Sequence, residues 1–258
     1  MKEYLVESAL LAHGLKSISN KQLLSVWKST VEHIAWVEKG KICIGNIQNF
    51  CEFRSKASTY GRINYFNFEN SLREGKTGCL TASGVIKVCE FLNIPIVVTC
   101  GIGGIMSENT EKICHDIEAM AKSSVSLVAT APKDMFSLEA TMKGLKKKNI
   151  QVVGIDKDYC NGYIFAREKV KLDRKWNGEA LQEKTLYLKE ISDEKKLEDS
   201  KILEEAYYYG KEQEKRGHLF HPAVNGKIDE ITKGQSSEIQ LESLWENVLW
   251  VEDVLLKG

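Results

Sequence analysis

Lys133 sits where an apolar, β-type run, VSLVATA (Val125 to Ala131), passes through Pro132 into a helix-like stretch. In an open α/β sheet ligands bind at the carboxyl ends of strands, so a primary amine at that point is a candidate nucleophile. An ammonium group must first lose its proton, and a second cation nearby in a pocket with little water favours that loss; Lys56 in RSKAS is the candidate. Glu7, in the apolar segment VESALLAHGL, is a candidate proton carrier, because a buried carboxyl group holds its proton to higher pH. Gly101, Gly103 and Gly104 in CGIGGI follow an apolar run and precede a polar helical stretch, a setting in which backbone N–H groups can approach an anion. A dinucleotide fingerprint is not present: its third glycine would fall at Met106, and no acidic residue ends the next strand, which argues against NAD. Asp116 in HDIEAM offers a single carboxylate, a donor suited to Mg²⁺ or Mn²⁺ with several waters rather than to zinc.

Each of these residues has a plainer reading. Most lysines are solvated surface charges, Glu7 reads locally as a helix-end charge, and the glycines read equally well as a tight turn. Asn247 in LWENV would ordinarily lie on the surface of a terminal helix. His218 and His221 are spaced i, i+3 but have no third ligand nearby, so both are expected outside the site, and His115 is expected to point away from it.

The elements that would position these groups follow from apolar periodicity. The runs Ile94 to Cys100, Val125 to Ala131 and Ile150 to Ile155 alternate with helix-compatible stretches at about 80–92, 108–122 and 136–148. Continuous apolar runs alternating with helices indicate buried parallel strands joined by right-handed crossovers, which predicts a three-layer α/β/α fold with a largely parallel central sheet and these runs as neighbouring strands. KICIG (Lys41 to Gly45) reads as a further strand, preceded by an amphipathic helix over Lys21 to Val37. A charged stretch from Lys169 to Gly217 carries Ile202, Leu203 and Ala206 at helical spacing and reads as a surface helix, and an amphipathic helix near Ile239 to Leu256 closes the chain. No repeat or linker divides the chain, so residues 1–258 are expected to form one domain.

Composition limits the partners. With 258 residues, 43% hydrophobic, and 36 basic against 36 acidic residues, there is no net charge to attract nucleic acid or an anionic membrane. Glu3, Glu7 and His13 interrupt the first apolar patch, which fails as a signal-peptide core or membrane span and points to the cytoplasm. The 7 cysteines are scattered without a CxxC pair and read as reduced thiols in the core.

Taken in order, these segments resemble the pseudouridine-5'-phosphate glycosidase family, also called indigoidine synthase A-like. LVESALLAHGL matches the family's ALESTIISHGM through Glu7, Ser8, His13 and Gly14; KASTYGR retains Lys56 and Ser58 of KVSRRDL but loses its arginine pair and aspartate. TCGIGGI matches TGGIGGV, DIEAMA matches DISADL through Asp116, TAPKDMFSL matches AGVKSILDI through Lys133, and LWENVL matches LVKNNA through Asn247. The resemblance implies Lys133 as the covalent nucleophile, Glu7 as proton donor, Asp116 as ligand of Mn²⁺ or Mg²⁺, and substrate contacts from Lys56, Gly101, Gly103, Gly104, Glu118 and Asn247. Glu118 and Met120 replace a serine and an aspartate that contact substrate in the family, Met106 replaces a histidine, and an Asn-Pro segment expected near Lys189 to Ser192 is absent. The implied activity is reversible carbon–carbon cleavage of pseudouridine 5'-phosphate to uracil and ribose 5-phosphate, by a homotrimer. Two alternatives are a C-glycoside synthase joining ribose 5-phosphate to another base or aromatic acceptor, and a non-catalytic binding homologue. Retention of both Glu7 and Lys133 counts against the last.

Overall fold

The computed structural model describes residues 3–107 and 113–257. In chain order the elements are β1 (Tyr4–Val6), α1 (Asn20–Val26), β2 (Ile34–Glu38), β3 (Lys41–Gly45), α2 (Ile47–Arg54), β4 (Gly61–Ile63), α3 (Phe68–Arg73), β5 (Gly78–Leu80), α4 (Ala82–Leu92), β6 (Ile96–Val98) and β7 (Gly101–Ile102). There follow α5 (His115–Lys122), β8 (Ser126–Ala129), β9 (Ala131–Pro132), α6 (Leu138–Lys147), β10 (Gln151–Gly154), β11 (Tyr159–Cys160), β12 (Val170–Lys171), β13 (Arg174–Lys175), β14 (Thr185–Leu188), α7 (Ser200–Lys215), α8 (Phe220–Ile231) and α9 (Gln235–Lys257).

A 10-stranded sheet runs in the order β13-β10-β14-β8-β6-β1-β2-β5-β4, with β3 added on β2. From β13 to β2 every pairing is parallel, and β1, β6, β8 and β14 are buried along their whole length, as a sheet covered by helices on both faces requires. Beyond β2 the direction reverses, because β5 pairs antiparallel to it and β4 parallel to β5. The three-layer α/β/α arrangement and the largely parallel sheet expected from the sequence are present.

Three local expectations are corrected. The stretch Lys21 to Val37 is not one helix: α1 ends at Val26 and IAWVE becomes β2. Its β-branched and aromatic residues pair with β3 across a tight turn at Lys39 and Gly40, both at positive φ (48° and 71°), the backbone a two-residue hairpin needs. The Val125 and Ile150 runs are not adjacent, because β14 inserts between β8 and β10; its four residues are masked in sequence by the charged stretch around them. The helix expected over 108–122 begins only at His115, after Ile113 bridges Ile105, and its residues 108–112 lie outside the described residues.

The charged stretch does form a surface helix, α7, which packs on α8 with Gly210 against Val224 and Phe220. Among the described residues no helix is long and apolar enough to cross a membrane.

Candidate active site

Two parallel strands break at the same level and create the site. The sheet pairing of β6 and β8 ends at Val98 and Val128, and after Thr99–Cys100 and Thr130 the chain resumes as a small parallel pair, β7 on β9. Lys133 follows immediately, its N–H donating to the Ile102 carbonyl at 3.0 Å. The amine therefore stands at the carboxyl end of the sheet, beside the glycine segment. A Cβ on Gly101 would come within 2.8 Å of Lys133 Cγ and 2.6 Å of the Tyr163 ring, so glycine is what lets Lys133 lie against this backbone.

Glu7 follows β1, the strand next to β6, and its N–H donates to the Val98 carbonyl at 3.1 Å. Its carboxyl group is buried and accepts from the hydroxyl of Thr99. Burial raises its pKa; the Lys133 charge, the Thr99 hydrogen bond and Arg62 work against that rise, and Asp116 adds to it. Glu7 and Lys133, far apart in sequence, thus stand at the same end of the sheet, close enough for the charge of Lys133 to act on Glu7, and the carboxyl group holds its proton more firmly than an exposed glutamate.

A polar floor ties this arrangement to α9. Asn247, fully buried, donates from Nδ2 to the Thr99 carbonyl at 2.8 Å and to Thr130 Oγ1 at 3.1 Å, while its Oδ1 has no hydrogen-bond partner. Ser243 bonds Thr130 Oγ1 at 2.6 Å, and Gln240 accepts from the Tyr163 hydroxyl at 3.1 Å. Gln240, Ser243 and Asn247 lie three and four residues apart, one face of the helix. Below Lys133, Asp134 is buried and accepts the N–H groups of Tyr163, Ile164 and Phe165 at 2.8, 2.9 and 3.2 Å, holding that loop against the strand end. Burial lifts its pKa to about 6 in spite of these bonds.

Asp116, in the first turn of α5, accepts from Ser83 N at 3.1 Å and Gly103 N at 2.9 Å. It joins the glycine segment to the start of α4, so the Gly103 N–H is spent inside the protein. Gly104 packs against Thr141 and Phe136, where a Cβ would collide with both. The resemblance implies Mn²⁺ or Mg²⁺ on Asp116. Both carboxylate oxygens are engaged by backbone donors, and among the described residues no group of three or more His, Cys, Asp and Glu is placed to hold a metal ion. The donors in place do not make a metal cage; an ion there would rest on one carboxylate and water.

Other expected residues fall differently. Glu118 is half-buried in the first turn of α5, and Met120 is fully buried behind it. Lys56 is exposed at the start of a single 3₁₀ turn over Ala57–Thr59, and Arg62, from β4, is the second cation whose charge Glu7 experiences. His218 is exposed as expected, but His221 is not outside the site. It packs edge-on against Phe136 with ring centroids 4.8 Å apart, and it experiences the charges of Lys133, Asp116 and Arg62. Burial, with Lys133 reinforcing it, lowers its pKa to about 4 and keeps the ring neutral. The i, i+3 spacing to His218 carried no information, since the two rings part company at the start of α8.

Thr99, Thr130, Tyr163, Asp134 and Arg62 were not singled out from the sequence. The threonines had a signal, since each ends an apolar strand run at the point where a ligand would sit. Gln240, Ser243 and Asn247 had one too, as a polar stripe on an otherwise apolar helix face.

A parallel sheet with a buried carboxyl group and an amine together at its carboxyl end defines an α/β protein equipped for proton transfer and nucleophilic attack. The chain belongs to the indigoidine synthase A-like protein family, whose model matches residues 5–254. It is 24% identical to the pseudouridine-5'-phosphate glycosidase of Petrotoga mobilis, covering 94% of this chain and 87% of that one. To the pseudouridine-5'-phosphate glycosidase of Thermotoga neapolitana it is 26% identical, covering 94% and 90%. In structure it is similar to an indigoidine synthase A-like protein of Thermotoga maritima (TM-score 0.79, 21% identity, 99% of this chain and 93% of that one). It is also similar to the prealnumycin C-glycosynthase AlnA in complex with ribulose 5-phosphate (TM-score 0.74, 18% identity, 97% and 93%).

Proposed function

We propose that this protein is an enzyme of the C-glycosidic bond, a carbon–carbon lyase that splits pseudouridine 5'-phosphate into uracil and ribose 5-phosphate through an imine on Lys133. The observation that carries this reading is that Glu7, after β1, and Lys133, beyond β8, both stand at the carboxyl end of the parallel sheet with only β6 between their strands, and that burial raises the pKa of the carboxyl group. The full-length relatives named as pseudouridine-5'-phosphate glycosidases support the substrate.

The bond between C1' of the ribose and carbon 5 of uracil offers no heteroatom to protonate, so the base must leave as a carbon anion. Glu7 gives its proton to the ring oxygen as the sugar ring opens, and the Lys133 amine adds to C1'. The adduct nitrogen gives a proton to the Glu7 carboxylate, its lone pair then forms the C1' iminium as the bond to carbon 5 breaks, the base takes that proton from Glu7 at carbon 5, and water releases ribose 5-phosphate from Lys133. One inaccessible cleavage becomes several accessible steps. The Oδ1 of Asn247, buried and unpartnered, is the acceptor the floor offers to a ligand N–H.

The test is incubation with pseudouridine 5'-phosphate followed by borohydride. A stable adduct of ribose 5-phosphate mass on the peptide containing Lys133, with release of uracil, is the expected result. No adduct with pseudouridine 5'-phosphate or with ribose 5-phosphate, with or without added Mn²⁺, would remove lysine catalysis. An adduct from ribose 5-phosphate alone favours the synthesis direction with another acceptor, a reading supported by Glu118 and Met120 standing where the family contacts its substrate and by the similarity to AlnA. A homotrimer and a divalent cation belong to the same proposal; sedimentation mass and loss of turnover on chelation test them.

A further inference from the structure

The cleft holds a cation that the steps above do not use. Arg62 lies in the middle of β4, opposite Cys79 of β5, and is partly buried; burial disfavours its charged form, with Glu7 and Cys79 acting the other way. Cys79, across from it, has its thiol 3.8 Å from His13 Nε2, and the next residue, Leu80, donates its N–H to Ser8 Oγ at 2.9 Å, so this part of β4 and β5 lies against the segment that carries Glu7, and the charge of Arg62 reaches Glu7, His13 and His221.

Two other arginines show what a structural role looks like here. Arg54 donates to the carbonyls of Leu11, Leu15 and Ile18 and to Asn20 Oδ1, at 2.6 to 3.0 Å. Arg167 donates to the carbonyls of Asp134 and Phe136 at 3.0 and 2.7 Å. No hydrogen bond or ion pair joins the guanidinium of Arg62 to any described residue. A planar fork of five N–H donors, taken largely out of water and given no acceptor, is costly unless a ligand completes it. Carboxylates and phosphates are the groups that match it.

We propose that Arg62 is the anion anchor of the cleft and takes a phosphate monoester through its guanidinium fork. The inference rests on the function proposed above in assigning that monoester to the 5'-phosphate of the substrate. It also replaces Lys56, whose exposed position leaves it outside this group of charges.

Calorimetric titration with inorganic phosphate, ribose 5-phosphate and ribose tests it on the wild type, Arg62→Gln, Arg62→Lys and Lys56→Ala. The wild type should bind both phosphates and not ribose. Arg62→Gln should weaken both by about 30-fold, as expected for a charge-assisted bidentate contact. Arg62→Lys should recover only part of the loss, because a point charge replaces the fork. Lys56→Ala should stay within about twofold of the wild type, since an exposed charge acts on a distant anion only through screened water. The unliganded Arg62→Gln protein should melt no lower than the wild type, because no protein partner is lost; a lower melting temperature would assign Arg62 a structural role and overturn the proposal. Wild-type affinity in Arg62→Gln, loss in Lys56→Ala instead, or no phosphate binding by the wild type would each overturn it as well. Arg62-dependent binding of phosphate without any imine at Lys133 would keep this inference and sink the lyase reading.

Discussion

The floor and the wall of the cleft are built on opposite principles. In the floor, Thr99, Thr130, Ser243, Gln240, Tyr163 and Asp134 are buried or nearly so and bonded to one another or to backbone, and only Asn247 Oδ1 is left over. In the wall, no hydrogen bond joins the side chains of Lys133, Arg62 and His221 to any of the described residues, although each is partly buried. Polar groups withdrawn from water are normally paired, so the saturated set holds geometry and the unsaturated set meets the ligand. Substitutions should separate the two: wall residues through turnover and binding, floor residues through stability.

The largest effect should come from the wall. Lys133→Ala removes the amine, and turnover measured by uracil release should fall by at least about 10³-fold with the melting temperature little changed. A variant that kept wild-type turnover would break the division at its most important point. Glu7 belongs to both sets, since it is bonded to Thr99 and faces Lys133. Glu7→Gln should cost about 10² to 10⁴ in turnover, the range for a lost proton donor, while circular dichroism stays native. On the floor, Asp134→Ala strips three backbone N–H groups of their acceptor and should lower unfolding free energy by several kcal/mol in denaturant titration, at about 1–3 kcal/mol per stranded donor. If that variant were as stable as the wild type but inactive, Asp134 would belong with the ligand-meeting residues.

The smallest effect is a pH dependence. The His221 imidazole has a folded pKa of about 4, below its ordinary 6.5, so the neutral ring favours the folded state. That contribution is complete above pH 6.5 and is lost as pH falls through about 4. Between those values the stability difference between wild type and His221→Gln should shrink by up to about 3 kcal/mol. A difference independent of pH would show that the ring is not held neutral.

The strands that carry the site were legible as apolar runs, and Lys133 was placed correctly at the end of one because β8 is buried on both faces and reads as VSLVATA. β1 and β14 were not legible. Three and four residues long, they carry too little pattern to stand out beside the polar residues that flank them, and only their neighbours make them strands. The same limit applies to the wall. Arg62 sits in a three-residue strand that reads as a turn in TYGRINYF, and His221 enters the cleft because α8 packs where it does, a tertiary fact with no local trace. The site residues carried over from the resemblance were chosen by motif, and among them Lys56 stands in the open while the charge of Arg62 reaches Glu7.

The phenol of Tyr4, on β1, donates to Glu252 Oε1 at 2.7 Å, and Asn247 on the same helix bonds the carbonyl of Thr99. During synthesis the strand that presents Glu7 emerges from the ribosome early, and the helix that completes its surroundings emerges after every other element described. A nascent chain that has not yet released α9 exposes the ends of β6 and β8 to water and leaves Thr130 and Tyr163 without their partners from that helix. The surroundings of Lys133 are therefore complete only once α9 has packed against the ends of β6 and β8.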